Sequence, residues 1–245
     1  MTPLTVADIE RLKALDTCTV SNAIERFDVR LRNEGFARRG VSCLFPQLPP
    51  MVGYAVTATV KSSIQPMTGG IYYDRIDWWS TVLTLPAPRV LVLQDVDAVV
   101  GCGAFVGEVH ANIARALGCI GCVTNGAVRD VPAAEALGFQ MFAGSLSPSH
   151  AYAHIVGWGE PVEIGGLKIA QGDLVHGDRH GFLTVPASIA ARVPDVAATL
   201  IEQERALLAE CQKAGMSIET LRALLARMGP SANNTRVTGG NGTVS

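Results

Sequence analysis

The chain has 245 residues, of which 48% are hydrophobic and 17% charged, so it is globular, slightly rich in buried side chains, and excluded from disorder over most of its length. Twenty Lys and Arg stand against 22 Asp and Glu for a net charge of −2, with no long run of like charges. That pattern leaves no electrostatic footprint for nucleic acid and makes a small molecule the default partner.

The N-terminal stretch, Met1 to Glu10, is acidic and lacks a basic-then-apolar pattern, so no signal peptide is expected and the cytoplasm is the expected location. Leu4 to Leu15 has helical spacing. A second helix is predicted from about Thr19 to Phe27, with Thr19 as its cap and Val20, Ala23, Ile24 and Phe27 as its apolar face. Val52, Tyr54, Val56, Ala58 and Val60 alternate as in a half-buried strand. Tyr73 to Leu83 returns to helical spacing and is ended by Pro86 and Pro88. Arg89 to Gln94 is then the Val- and Leu-rich run of a buried parallel strand, with Asp95 at its C-terminal end. Gln94, Asp95 and Asp97 interrupt the apolar stretch well short of the roughly 18 residues a membrane span needs, so no membrane partner is expected.

A glycine-rich turn, Gly101 to Gly107, precedes an amphipathic helix from about Glu108 to Leu117 that Gly118 stops. Cys119 to Thr124 reads as a strand, Val131 to Leu137 as a short helix with Pro132 in its first turn, and Gln140 to Ala143 as a third strand, completing a βαβαβ unit. Short strands follow at Ala151 to Val156, Val162 to Ile164, Leu167 to Ala170, Leu174 to His176 and Phe182 to Val185, with Gly165-Gly166 as a two-residue hairpin turn. A long helix is predicted from Pro194 to Ala214 and a last one from Ile218 to Met228. The Asn, Thr and Gly of the 230–245 tail have almost nothing to bury and read as disordered. The fold class is therefore α/β. One domain over 1–229 is expected, with a central mixed sheet, a βαβαβ core and flanking helices.

The stretch from Gly101 to Asp130 carries most of the chemistry. In open α/β sheets the loops after strand C-termini form the ligand crevice, which brings the glycine turn and the Arg129-Asp130 pair to one edge. Backbone N–H groups at a helix N-terminus suit an anion, and an arginine beside an aspartate supplies a bidentate anion clamp and a hard oxygen ligand for a divalent cation. A surface ion pair, or an N-cap at Asp130, is the alternative reading of the same two residues.

Glu108, twenty intervening residues, then Arg129-Asp130 resembles the acidic-X20-Arg-Asp motif of the RraA-like family, whose fold is of the swivelling-domain type. Leu15 to Ile24, Gly53 to Val60, Pro88 to Asp97 and Gly165 to Pro186 resemble the same family in the same order, so the likeness covers roughly Leu4 to Gly229. The family includes 4-hydroxy-4-methyl-2-oxoglutarate aldolases, oxaloacetate decarboxylases and the regulator of RNase E. The resemblance implies a class II lyase that uses Mg²⁺ or Mn²⁺ and cleaves a C–C bond of a short 2-oxo (di)carboxylic acid to give pyruvate. The alternative is a non-enzymatic protein that regulates an RNA-processing enzyme. Carried over by resemblance, Asp130 is the metal ligand, Arg129 binds substrate and steadies the enolate, and Glu108 holds metal-bound water. Gly103, Ala104, Phe105 and Val106 offer amides to the pyruvyl carboxylate, and Glu204, with Glu202 close by, is the acid from a neighbouring subunit's C-terminal helix. Asn125 stands where an aspartate is common in the family, and Glu108 replaces the Asp of many members.

Other signals have blander readings. Cys119 and Cys122 match C-x-x-C, but within a strand they read as core. His150 and His154 have the spacing of a zinc helix on what reads as a strand. His176 to Gly181 reads as a polar turn, in which His176 and His180 are candidates to donate a proton or bind a distal carboxylate. Trp78 and Trp79, with Tyr72 and Tyr73 around Asp74 and Asp77, read as interface or core. The long helix has apolar residues on several faces, Val196, Leu200, Leu207 and Leu208 on one and Ala197, Ile201 and Ala209 on others. With the family resemblance this predicts a homo-oligomer, a trimer or a dimer of trimers, in which Glu204 acts in trans.

Overall fold

The computed structural model describes residues 3–66, 75–213 and 215–227. The chain opens with α1 (Val6–Lys13) and α2 (Thr17–Glu25). Thr5 closes a capping box on α1, its hydroxyl accepting from the Asp8 N–H while the Asp8 carboxylate accepts from the Thr5 N–H. The cap of α2 is Asp16 rather than the expected Thr19: its carboxylate accepts from the Thr19 N–H at 2.8 Å, which places Thr19 in the first turn.

The sheet is organised around one long strand. After β1 (Ser42–Cys43) comes β2 (Met51–Lys61), then α3 (Ile76–Val82) and β3 (Arg89–Asp95), which pairs parallel with β2 from Tyr54↔Arg89 to Val60↔Asp95. Beyond them run β4 (Ala104–Val106), α4 (Glu108–Ala116), β5 (Cys119–Thr124), β6 (Ala127–Val128), α5 (Val131–Ala136), β7 (Gln140–Ala143) and β8 (Ser145–Leu146). β3, β5 and β7 pair parallel in that order, and β1 closes the edge antiparallel to β7. Leu91, Leu93, Cys119, Cys122 and Met141 lie beneath α4 and α5 with Ala111, Ala114 and Ala134. These are the buried faces that the βαβαβ reading requires.

The other edge of β2 is shared. β9 (His154–Trp158) pairs antiparallel with Ala58 to Lys61. β10 (Val162–Ile164) and β11 (Leu167–Ile169) form a separate hairpin whose turn is Gly165-Gly166, at φ 60° and 76°, the left-handed geometry that glycine adopts without a Cβ clash. β12 (Leu174–Asp178) then pairs antiparallel with Met51 to Tyr54, and β13 (Gly181–Val185) with β12. Between β9 and β12 the Gln171 side chain accepts from Thr57 N–H at 2.7 Å and from its hydroxyl at 3.0 Å, so the gap along β2 keeps no bare donor there. α6 (Val193–Cys211) packs Val193, Ala197 and Leu200 into the cluster of α1 and α2, and α7 (Ile218–Arg227) follows. No helix among the described residues is long and apolar enough to cross a membrane.

Several boundaries shift. The strand expected at Ala151 to Val156 runs His154–Trp158, and the long helix begins at Val193 and ends at Cys211. The described part of the third helix starts at Ile76; Tyr72, Tyr73, Asp74, Ala214, Met228 and the 230–245 tail lie outside the described residues. Trp78 and Trp79 are core residues here, with ring centroids 6.3 Å apart. The expected glycine turn is part strand: Ala104, Phe105 and Val106 are all buried, and β4 pairs parallel with β6, which pairs with β8 in a small second sheet.

Replacing Gln171 by Leu leaves the Thr57 N–H and hydroxyl without their acceptor. The unfolding free energy should fall by about 1–3 kcal/mol. Urea unfolding checks this, with the midpoint moving and the slope unchanged.

Candidate functional site

Two arms rise from the C-terminal end of the sheet. One leaves β3 at Asp95 and returns through β4 to Gly107 and the start of α4; the other leaves β5 at Thr124 and passes through Asn125 and β6 to Arg129 and Asp130. They are tied at their tips. The Arg129 N–H donates to the Val106 carbonyl at 3.0 Å, and the Glu108 N–H donates to Asp130 Oδ2 at 3.0 Å. Gly107 is required at this meeting, since a Cβ there would come within 2.5 Å of Asp130 Oδ2 and 2.9 Å of Arg129 Cγ.

Asp130 sits at φ 53°, ψ 38° in the left-handed region and makes no side-chain cap to its own helix α5. Such a conformation in a non-glycine residue costs about 1–3 kcal/mol and concentrates at functional sites. The N-cap alternative is therefore corrected in one respect: Asp130 caps α4, across the site, in place of a side chain that Gly107 lacks. Arg129 Nε lies 3.4 Å from the same Oδ2, with side chains 29% and 39% exposed for Arg129 and Asp130. Asp130 Oδ1, the Arg129 Nη groups and the Glu108 carboxylate have no hydrogen-bond partner among the described residues. Around Arg129 and Asp130 lies an open depression of about 350 Å³ walled by Val131, Pro132, Leu146 and Pro148.

The amides expected to bind a carboxylate are not all available. Gly103 N–H donates to Ser62 Oγ and Ala104 N–H to the Ser149 carbonyl, both at 2.9 Å, and Phe105 and Val106 belong to buried β4. An amide left open is that of Val109, in the first turn of α4, which has no acceptor among the described residues. Sequence reasoning missed it. Its signal is Gly107 itself, an N-cap without a side chain, which leaves first-turn donors free at the positive end of the helix dipole.

Four expected residues are not at this site in the same chain. His180 closes the β12–β13 hairpin, whose Gly177 pairs with Met51 at the start of β2, whereas the arms leave beyond Asp95, paired with Val60. Strand β2 has 11 residues, and at about 3.3 Å per residue it separates the two ends by roughly 30 Å. His180 Nδ1 instead lies 3.1 Å from Asp178 Oδ1. His176 is buried within β12 rather than in a polar turn; its ring joins Thr17 Oγ1 and the Leu12 carbonyl, each at 3.1 Å, and burial pulls its pKa down. Glu204 and Glu202 lie on α6, which packs on α1 and α2, so the chain itself does not bring either to Asp130.

The remaining candidates are local structure. Cys119 and Cys122 are buried in β5, and burial pushes both thiols up to about 12, which is the reverse of a reactive pair. The rings of His150 and His154 each meet a backbone carbonyl nearby, of Ala151 and Tyr152. A larger cavity of about 390 Å³ opens at the other end of the sheet among Ile9, Pro49, Pro50, Pro88 and Ile120. There Glu10 and Lys13 pair with each other, Arg115 adds a second cation, and the Gln140 amide donates to the Phe45 carbonyl.

The arrangement at the arms suits a hard divalent cation. Among the described residues no group of three or more His, Cys, Asp or Glu could hold a metal, so a dedicated cage is absent there. A free Asp130 oxygen, on a carboxylate whose other oxygen is held by the Glu108 N–H, fits the sparse, water-rich coordination that Mg²⁺ and Mn²⁺ accept.

The family described as RraA-like, Aldolase/RraA, has a model that matches residues 17–184. A Halalkalibacterium halodurans protein provisionally named 4-hydroxy-4-methyl-2-oxoglutarate aldolase is 34% identical over 84 residues, spanning 34% of this chain and 40% of that protein. Among solved structures, an uncharacterized Pseudomonas syringae pv. tomato protein superposes with a TM-score of 0.69 at 22% identity, covering 91% of this chain and 95% of its own. Streptomyces coelicolor RraAS2, described as an unusual member of the RNase ES inhibitor RraA protein family, gives 0.63 at 22% identity over 84% and 97%. The structural matches share the fold, the family model spans most of the chain, and the chain accordingly belongs to the RraA-like family.

Proposed function

We propose that the chain is a divalent-metal-dependent lyase that cleaves a C–C bond of a short 2-oxo acid and releases pyruvate. The observation that carries this reading is the meeting, at one open depression, of a strained Asp130 with a free oxygen and the Arg129 guanidinium, with the Glu108 N–H bonded to that same Asp130 carboxylate. The partial likeness to a protein provisionally named as an aldolase supports it. Bound at Asp130, Mg²⁺ or Mn²⁺ would polarise the 2-oxo group.

The chain's own residues supply the rest. The Arg129 Nη groups bind the substrate's oxo and carboxylate oxygens and neutralise the negative charge that develops on the 2-oxo oxygen as the C–C bond breaks. Preorganised donors of this kind contribute about 3–4 kcal/mol each to a transition state. The Val109 N–H, at the positive end of α4, takes part of the pyruvyl carboxylate. Glu108 orients water beside Asp130. Retro-aldol cleavage of a 4-hydroxy-2-oxo acid and decarboxylation of oxaloacetate lead to the same enolate, so one site serves both reactions.

The exposed apolar surface favours a shared site. Val99, Val109, Leu146 and Tyr152 are between 54% and 76% exposed, and Leu208, Ile218 and Leu225 on the terminal helices between 51% and 64%. Two sets of exposed apolar residues fit a trimer, or a dimer of trimers, in which one subunit's α6 brings Glu204 to its neighbour's arms. The same exposed apolar surface is the observation behind the second reading, a regulator that binds an RNA-processing enzyme. That reading needs the surface but not the arrangement of Glu108, Arg129 and Asp130. Pyruvate release over a panel of 2-oxo acids, with and without Mg²⁺ or Mn²⁺, separates the two: metal-dependent release supports the lyase, and none with any substrate favours the regulator.

Three outcomes are expected. Asp130→Asn retains an acceptor for the Glu108 N–H and so should melt within a few degrees of wild type, yet lose metal-dependent turnover; wild-type rates after chelation and metal re-addition would misplace the cation site. Arg129→Lys replaces a planar fork by a point charge, and kcat should fall about 10²- to 10³-fold, measured by coupled pyruvate detection. Mixing Asp130→Ala with Glu204→Ala should restore partial activity, because some interfaces then carry one wild-type copy of each residue. Light scattering that shows an active monomer would contradict the shared site.

A further inference from the structure

The two arms are joined at their root as well as at their tips. The parallel ladder of β3 and β5 ends at Leu93↔Thr124. Just beyond it the Asn125 side chain continues the pairing: its Oδ1 accepts from the Asp95 N–H at 2.7 Å and its Nδ2 donates to the Asp95 carbonyl at 2.9 Å. The backbone groups fix which end of the amide is which, and both ends are used. The Asp95 carboxylate then reaches along its own arm, accepting from the Asp97 N–H at 2.9 Å and the Gly101 N–H at 2.8 Å. Gly126 follows Asn125 because a Cβ there would stand 2.9 Å from Asp95 Cβ.

We infer that Asn125 is a positioning residue, whose two-ended bond to Asp95 sets the spacing between the arm that carries Glu108 and the arm that carries Arg129 and Asp130. This rests on the reading of the site above. Root, rung and tip form a closed frame: Asn125 to Asp95, β4 to β6, then Arg129 to Val106 and Glu108 to Asp130. Releasing the root leaves the tip bonds to hold the geometry alone. An ionised aspartate at 125 could keep the bond from the Asp95 N–H, but it would set one acceptor against another at the Asp95 carbonyl. A protonated carboxyl would restore the missing donor. The charged groups of the frame are Asp95, Asp97 and Glu108 on the β3 side and Arg129 and Asp130 on the β6 side.

The test compares the full chain with Asn125→Asp and Asn125→Ala by amide hydrogen exchange and by Mn²⁺ binding followed with electron paramagnetic resonance, at pH 8 and pH 5. At pH 8 both variants should exchange about tenfold faster than wild type in residues 101–108 and 126–130 together, with β12 and β13 unchanged. Mn²⁺ affinity should fall about tenfold in both. At pH 5 the Asn125→Asp ratios to wild type should return towards one while those of Asn125→Ala do not. Unchanged exchange in both arms, loosening of only one, or a loss in Asn125→Asp that ignores pH overturns the positioning role. Should Asn125→Ala fail to fold, the pH comparison within Asn125→Asp decides. A wild-type chain that binds no Mn²⁺ overturns the reading of the cation site instead, and the exchange result still judges Asn125.

Discussion

An eleven-residue strand with scarcely an exposed side chain must find partners for its N–H and C=O groups along both edges, and β2 organises the molecule by how it does so. On one edge it pairs parallel with β3, and parallel neighbours require long crossovers, which bring α3, α4 and α5 onto the sheet. On the other edge antiparallel β12 and β9 divide the strand between them, with the Gln171 side chain covering Thr57 in the gap. The parallel side leaves its loops at one end of the sheet, and that is where the two arms stand. The antiparallel side anchors α1, α2 and α6 and puts the His180 hairpin at the opposite end.

The arms show how a site is kept strained. Asp130 holds a left-handed backbone that its own helix does not need, and it is held by bonds from the facing arm. Gly107 and Gly126 permit the close approach, one at the tip and one at the root, since a side chain at either would meet Asp130 or Asp95. Behind Asp95, a second carboxylate stiffens the loop. Burial would raise the Asp97 pKa, but hydrogen bonds from the hydroxyls and N–H groups of Ser63 and Ser62 outweigh it and hold the carboxyl below its ordinary value. Ser62 Oγ also accepts from Gly103 N–H, so the end of β2 is tied into the same frame. Rigid support of this kind is what a weakly coordinated cation requires, because few protein ligands can then fix its position.

The same packing explains which chemistry-bearing residues have structural duties. His176 links α1 and α2 to the sheet through Leu12 and Thr17, and the Thr17 N–H in turn donates to Asp178 at 2.9 Å. A neutral histidine can donate from one ring nitrogen and accept at the other, which suits a buried bridge between a carbonyl and a hydroxyl. Cys119 and Cys122 face the apolar layer under α4, where a thiolate would be desolvated. Fold membership is compatible with lyases and with binding proteins alike, so the functional reading rests on the arms and not on the sheet.

What the sequence by itself determined is whatever local pattern dictates. The alternation and runs of Val, Leu and Cys place β2, β3 and β5, the apolar Met141 to Ala143 places β7, the Gly165-Gly166 pair places a hairpin, and Gly118 ends α4, because period, turn chemistry and capping are properties of neighbouring residues. The motif of Glu108 and Arg129-Asp130 was legible too, as was its position after strand ends. The tertiary structure decided the rest. Ala104 to Val106 is a strand because β6 lies beside it, Asp130 caps α4 rather than α5, and Asn125 reaches Asp95 thirty residues away in sequence. It also decided that His180 stands at the far end of β2. Each of these depends on pairs distant along the chain, whose meeting is set by the register of the whole sheet, and no local window contains that register.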